Sequence, residues 1–175
     1  MHNPVYHRDV RIIAPATEAD MMQAFGDAEP NWLTRRGYPD KFIFERFPAD
    51  CVWEWVELAD AELLGLRHIM NEAGWLEFSG PDRRPAFAAN WVREHPDEPV
   101  AVDIREYSER FDAGDTPPPI VLVSTSARDE LVVMEGNRRI AAAALAGVPA
   151  SRLRFLLGTS ATMADWAFFT DSTFE

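Results

Sequence analysis

The feature that most constrains the fold of this chain is an apolar segment that runs through one glycine into an alanine-rich segment. Residues 130–134 are rich in β-branched side chains, which favour a strand. Residues 137–146 are rich in alanine, which favours a helix, and Gly147 is typical of a helix C-terminus. We therefore predict a strand, a turn at Gly136 and a helix, with Asn137 as the favoured N-cap residue.

Neighbouring segments indicate further strands. Residues 119–125 are apolar and β-branched, and the short spacer before residues 130–134 predicts an antiparallel hairpin. Residues 152–157 predict another strand. Residues 99–104 alternate like a strand, and residues 105–113 either continue it or form a short helix.

The N-terminal half carries weaker signals, among them a short helix with Thr17 as N-cap. Further predictions are strands at 42–47 and 52–56 joined by a turn at 48–50, and helices at 59–73, 86–94 and 161–169. We predict an α+β fold in two regions. Residues 1–98 form an α/β extension packed on a core domain at 99–175.

Composition excludes several classes of protein. The formal net charge of −12 disfavours duplex DNA as a partner, because DNA phosphates are bound mainly through Lys and Arg. The single cysteine, Cys51, excludes an internal disulfide, and the histidines lack zinc-ligand spacing. No apolar stretch is long enough for a membrane span, and the first residues do not resemble a signal peptide. We expect a cytoplasmic protein.

The turn at Gly136 predicts an anion site. The first N–H groups of a helix have no internal acceptors, and glycine lets a ligand approach the backbone. Arg138 and Arg139 lie in the first helical turn, where each cation costs about 0.3–1 kcal/mol against the helix dipole. A bound phosphate reverses that cost. The alternative is that Glu135 pairs with one arginine and solvent surrounds the other.

These segments resemble the ParB/sulfiredoxin superfamily. The resemblance covers about residues 99–157 and is carried by residues 118–123, by residues 131–142 with their Gly-x-x-Arg turn, and by Gly147. It implies a mixed sheet with helices. It also implies that four residues bind nucleotide phosphates: Gly136, Asn137, Arg138 and Arg139.

Departures from the superfamily pattern narrow the function that the resemblance implies. Sulfiredoxins place a reactive cysteine after the motif glycine, where this chain has Asn137, so a thiol-dependent reductase is not expected. The residues after Leu157 are too few for the helix-turn-helix domain of chromosome-partitioning members. The expectation is a nucleotide-binding protein that takes ATP, ADP or CTP with Mg²⁺, and a phosphotransferase acting on a small molecule. The alternatives are a non-catalytic nucleotide-sensing or protein-binding regulatory module and, more distantly, a nuclease.

Phosphoryl transfer requires a carboxylate to act as a general base or to orient Mg²⁺. Glu106 is the preferred catalytic candidate, at the expected end of the first strand of the core domain, and Glu135 is the second. The alternative is that the acidic stretch 103–115 is a solvated face. The arginine pair Arg83–Arg84 is expected in an exposed turn, and the tryptophans in the core. Charge reversal at Arg138 or Arg139 is expected to abolish phosphate binding with the fold intact.

Overall fold

A computed structural model describes residues 10–28, 47–69 and 78–170. These ranges form an α+β fold with a six-stranded mixed sheet and five helices, as the sequence predicts at the level of fold class. The strands are β1 (Val10–Pro15), β2 (Val52–Leu58), β3 (Arg67–His68), β4 (Ile120–Thr125), β5 (Val132–Glu135) and β6 (Phe155–Ser160). The helices are α1 (Glu18–Ala28), α2 (Asp60–Gly65), α3 (Pro85–Glu94), α4 (Pro99–Asp112) and α5 (Asn137–Ala146).

The sheet has the strand order β1-β2-β6-β4-β5-β3. The pairs β4–β6 and β5–β3 are parallel, and the other three neighbouring pairs are antiparallel. Strands from both sides of the predicted boundary at residues 98 and 99 share this sheet, since β2 pairs with β6 and β3 pairs with β5. The start of α5 therefore lies beside β3, which comes from the N-terminal half.

Both faces of the sheet are covered by other elements. Successive side chains of a strand point to opposite faces, so neighbouring residues of β4 pack in different clusters. In β4, Ile120 and Leu122 pack in one buried cluster with residues of α2, α3, α4 and α5. Val121 and Val123 pack in a second cluster with α1 and with Trp166. The continuous apolar run of β4 is thus explained by burial on both sides.

Several predictions from the sequence are confirmed. The strands at 119–125 and 130–134 correspond to the antiparallel pair β4–β5, and the helix at 137–146 corresponds to α5. The strand at 52–56 and the helix at 86–94 correspond to β2 and α3. Thr17 caps α1, because its Oγ1 accepts a hydrogen bond from the backbone N–H of Asp20 at 3.2 Å.

The prediction of a strand at 99–104 is wrong, because these residues begin α4. Pro99 occupies the first turn, where its missing N–H and fixed φ are tolerated. Ala101, Ile104 and Phe111 are its buried residues, and they repeat with the spacing of one helix face. Glu106 consequently lies in a helix and is exposed, not at the end of a strand.

The predicted helix at 59–73 is confirmed at 60–65 by α2 and is wrong at 66–69, while residues 70–73 lie outside the described residues. The predicted helix at 161–169 is wrong over most of its length. α2 ends at Gly65, and the next residues enter the sheet: the Arg67 N–H donates to the Leu131 carbonyl at 2.9 Å. Pairing with β5 therefore prevails over the helical spacing of the leucines. Residues 163–165 form only a 3-10 turn, and the predicted strand at 42–46 lies outside the described residues.

No helix in the described ranges has both the length and the apolar character needed to cross a membrane.

Two glycines at helix ends give a matched test of the backbone geometry. Gly147 follows α5 with φ at 68°, and Gly65 ends α2 without a positive φ; neither has a neighbour that a Cβ would touch. Gly147→Ala is expected to lower the free energy of unfolding by about 1 kcal/mol, since alanine disfavours left-handed backbone. Gly65→Ala is expected to leave it unchanged or raise it by up to about 1 kcal/mol. Urea unfolding measures both, and equal effects would contradict the assigned backbone conformations.

Candidate functional site

The turn between β5 and α5 requires glycine. Gly136 is the N-cap residue of α5, with φ at 101° in the left-handed region. A Cβ there would lie 3.1 Å from both Ile120 Cγ1 and Arg139 Nη2. The prediction that Asn137 is the N-cap is therefore wrong by one residue, and Asn137 is the first residue of the helix.

Asn137 joins the start of α5 to the end of β3. Its Oδ1 accepts the backbone N–H of Ile69 at 3.1 Å and faces His68 Nδ1 at 3.1 Å. A backbone N–H can only donate, so the atom facing it is the amide oxygen, and the orientation of the carboxamide is fixed. Asn137 is only 8% exposed, and it makes no other hydrogen bond with the described residues. Its Nδ2 amino group, on the other branch of the carboxamide, therefore has no acceptor among the described residues.

His68 is fully buried and neutral. Burial lowers its pKa to about 4, the hydrogen bond to Asn137 opposes that shift, and the charge of Arg83 adds to it. The contact with Ile69 identifies the Asn137 atom as the amide oxygen, which can only accept. His68 Nδ1 must therefore carry the proton and donate it to this oxygen. The imidazole is therefore held in one tautomer behind the turn.

Arg139 is a structural residue rather than an open anion ligand. Its guanidinium is 3% exposed, and Nη1 donates to the carbonyls of Pro118 and Pro119 at 2.6 and 3.1 Å. Nη2 donates to Glu135 Oε1 at 3.0 Å. These contacts fix the proline-rich connector, the end of β5 and the first turn of α5 to one another.

Arg138 has a different environment from its neighbour. Its Nη1 lies 2.9 Å from Asp103 Oδ2 of α4, and the two side chains are 25% and 44% exposed. The sequence left open the alternative that Glu135 pairs with one arginine while solvent surrounds the other. The first half of this alternative is correct, since Glu135 pairs with Arg139. Arg138 also has a carboxylate partner, but it stays accessible.

The backbone supplies further donors at the turn. The first hydrogen bond of α5 joins the Ile140 N–H to the Gly136 carbonyl at 2.9 Å. Within the described ranges, the N–H groups of Asn137, Arg138 and Arg139 make no hydrogen bond. They lie at the positive end of the helix dipole, where anions are stabilised.

The two predicted catalytic carboxylates are not brought together. Glu135 precedes the turn, is 14% exposed and is held by Arg139. Glu106 is exposed on α4, and no hydrogen bond or ion pair links it to another described residue. Over residues 10–28, 47–69 and 78–170, no three His, Cys, Asp or Glu side chains are close enough together to hold a metal ion. Asp103, inside the acidic stretch, is the carboxylate that reaches the turn.

Sequence reasoning misplaced one arginine and missed one histidine. Arg83 is 1% exposed with φ at 52°, so the prediction of an exposed turn is wrong for it. Arg84 fits that prediction better, with its guanidinium 4.0 Å from Glu130 Oε1 and about one third exposed. His68 was hidden in a predicted helix, and nothing in the sequence marks it as a partner of Asn137. Of the tryptophans expected in the core, Trp53 is buried, Trp55 and Trp91 pack against core clusters, and Trp75 lies outside the described residues.

No protein-family model, curated protein or solved structure matches this chain. The assignment of a site therefore depends on the geometry of the turn itself.

The buried His68 makes stability depend on pH. Well above pH 6.5 the imidazole is neutral in both the folded and the unfolded state, so the burial of His68 does not lower the free energy of unfolding. As the pH falls from 6.5 toward 4, the unfolded chain binds a proton that the folded chain excludes, and stability is lost. The loss is expected to be on the order of 3 kcal/mol. Urea unfolding across this range should show a shallower slope for His68→Gln; an unchanged slope would mean that His68 does not cause it.

The adjacent arginines of α5 are expected to differ in their effect on stability. Arg139→Ala removes the partner of a largely buried carboxylate and of two carbonyls, which typically costs about 3–5 kcal/mol. Arg138→Ala removes a half-exposed ion pair worth about 0–1 kcal/mol. The expectation that charge reversal leaves the fold intact is therefore kept for Arg138 and dropped for Arg139. Chemical unfolding of the two alanine variants measures the difference, and similar losses would contradict the structural role of Arg139.

Proposed function

We propose that this protein is a ParB/sulfiredoxin-like module that binds a phosphate group of a nucleotide at the start of α5. The observation that carries the proposal is the fixed carboxamide of Asn137. Its oxygen is occupied by the end of β3, and its amino group is left as a donor in the first residue of the helix. A nearly buried donor without an acceptor in the described residues requires an explanation, and a bound anion supplies one.

Three further groups support an anion at the same place. The N–H groups of the first turn of α5 have no acceptor in the described part of the chain, and the helix dipole favours negative charge there. The left-handed Gly136 has no side chain to block approach to the backbone. Arg138 is accessible, and a guanidinium binds phosphate oxygens in a bidentate manner.

The proposed set of ligands is smaller than the one expected from the sequence. Gly136, Asn137 and Arg138 stay as phosphate-binding residues. Arg139 is assigned a supporting role, because phosphate binding by its guanidinium would break contacts to Pro118, Pro119 and Glu135. Its charge still contributes to the positive potential near the turn.

A nucleotide is favoured over a nucleic acid as the ligand. A net charge of −12 repels a long polyanion, whereas one phosphate group needs only a local positive site. The order of β4, β5, α5 and β6 along the chain agrees with the order that the resemblance implies. ATP, ADP and CTP are the candidate ligands, and Mg²⁺ would arrive with the phosphates.

Binding without catalysis is better supported than phosphoryl transfer. A general base needs a carboxylate that is free to accept a proton near the phosphate. Glu135 is engaged by Arg139, and no hydrogen bond or ion pair joins Glu106 to the described residues of the turn. The catalytic roles of Glu106 and Glu135, and a small-molecule acceptor, stay predictions.

Nucleotide binding is tested by thermal unfolding of the full chain with ATP, ADP, CTP and GTP, each with and without Mg²⁺. A nucleotide at about 100 times its dissociation constant stabilises the folded state by about 2.7 kcal/mol. We expect at least one nucleotide to raise the melting temperature of the wild-type protein. Arg138→Ala should reduce that shift, because the accessible guanidinium is lost.

Arg93→Ala is the matched control. Arg93 is exposed at the end of α3, so this substitution removes the same charge at a place away from the turn. Its shift should equal that of the wild type. If no nucleotide shifts the wild-type transition, or if Arg138→Ala and Arg93→Ala respond alike, the proposed site is wrong.

A further inference from the structure

The ion pair between Arg138 and Asp103 occupies the group that the proposed site would offer to a ligand. One guanidinium nitrogen lies 2.9 Å from one carboxylate oxygen. A carboxylate is itself an oxyanion, and here it takes one guanidinium nitrogen of Arg138 that would otherwise be available to a phosphate oxygen. No ligand can make full use of this guanidinium while Asp103 remains in contact with it.

We infer that Asp103 is a built-in competitor for the phosphate, so that a ligand must displace its carboxylate before it can use the whole guanidinium of Arg138. The inference rests on the proposed function and describes how that site is regulated. The site itself depends on more than a helix terminus, because the oriented amide of Asn137 is a second, independent donor.

The exposure of the pair makes the displacement feasible. With side chains 25% and 44% exposed, both groups are partly hydrated, and such pairs contribute little to stability. Asp103 can therefore leave Arg138 for solvent at small cost. By contrast, the buried contact between Arg139 and Glu135, with side chains 3% and 14% exposed, is not suited to exchange.

The two helices that carry the pair are fixed by the fold. Ala101 and Ile104 of α4 are fully buried, and they lie in the same core cluster as Ile140 and Ala141 of α5. Asp103, between those two buried residues, therefore stays near Arg138, and only its side chain needs to move. Displacement requires a change of rotamer and no rearrangement of the backbone.

The test measures the affinity of inorganic phosphate, without divalent cations and at constant ionic strength, by titrating the amide NMR signals of the full chain. Asp103→Asn should bind phosphate about 2- to 5-fold more tightly than the wild type, since it frees Arg138. Asp112→Asn is the matched control. It removes the same charge from the exposed end of α4, with no ion pair to another described residue, and should change the affinity less than Asp103→Asn.

A double-mutant cycle separates competition for Arg138 from simple repulsion. In an Arg138→Ala background, Asp103→Asn should improve binding no more than Asp112→Asn does. Where Arg138 is retained, two results would overturn the inference while the site stands. Asp103→Asn would bind phosphate more weakly than the wild type, or it would improve binding only as much as Asp112→Asn does. If phosphate moves no signal of the turn in either the wild type or Asp103→Asn, the proposed function fails as well.

Discussion

The arrangement of the turn depends on one buried cation. A buried guanidinium is tolerated only when hydrogen-bond acceptors and a carboxylate surround it. Here the carbonyls of Pro118 and Pro119 and the carboxylate of Glu135 accept three hydrogen bonds from Arg139. Those partners belong to the connector before β4 and to the end of β5, so one side chain fixes the geometry from which α5 starts. The close approach of Arg139 to Gly136 explains why a glycine is needed at that point.

A second contact ties the same turn to the opposite half of the sequence. Asn137 connects α5 to β3, and β3 pairs with β5 in parallel. His68 takes part as a neutral donor, which requires burial strong enough to keep the imidazole uncharged. The N-terminal half is thus part of the wall of the candidate site, and it does more than cover the core. Residues far apart in sequence define the one amide orientation on which the proposed function depends.

The parts of the fold that were predicted correctly are those set by local sequence. The β-branched runs of β4 and β5, the alanines of α5 and the proline that begins α3 each favour their element without help from distant residues. α4 and β3 were missed because tertiary contacts decided them. The alternation at 99–104 also matches one face of a helix, and β3 exists only because Leu131 accepts the Arg67 N–H. For the same reason the sequence located the turn but could not assign separate roles to Arg138 and Arg139.

The difference between these two adjacent arginines follows from helix geometry. Consecutive residues of a helix point about 100° apart, so one guanidinium faces the connector beneath the turn while the next faces α4. Burial then decides the chemistry. The enclosed Arg139 is committed to its partners because breaking them would leave charges without solvent, whereas Arg138 exchanges its carboxylate at little cost. In the proposed phosphate site, the Gly-x-x-Arg turn combines a rigid arginine that shapes the turn with an accessible arginine beside it. The arginine that the motif specifies is the buried Arg139, so a position along the chain does not show which side chain reaches a ligand.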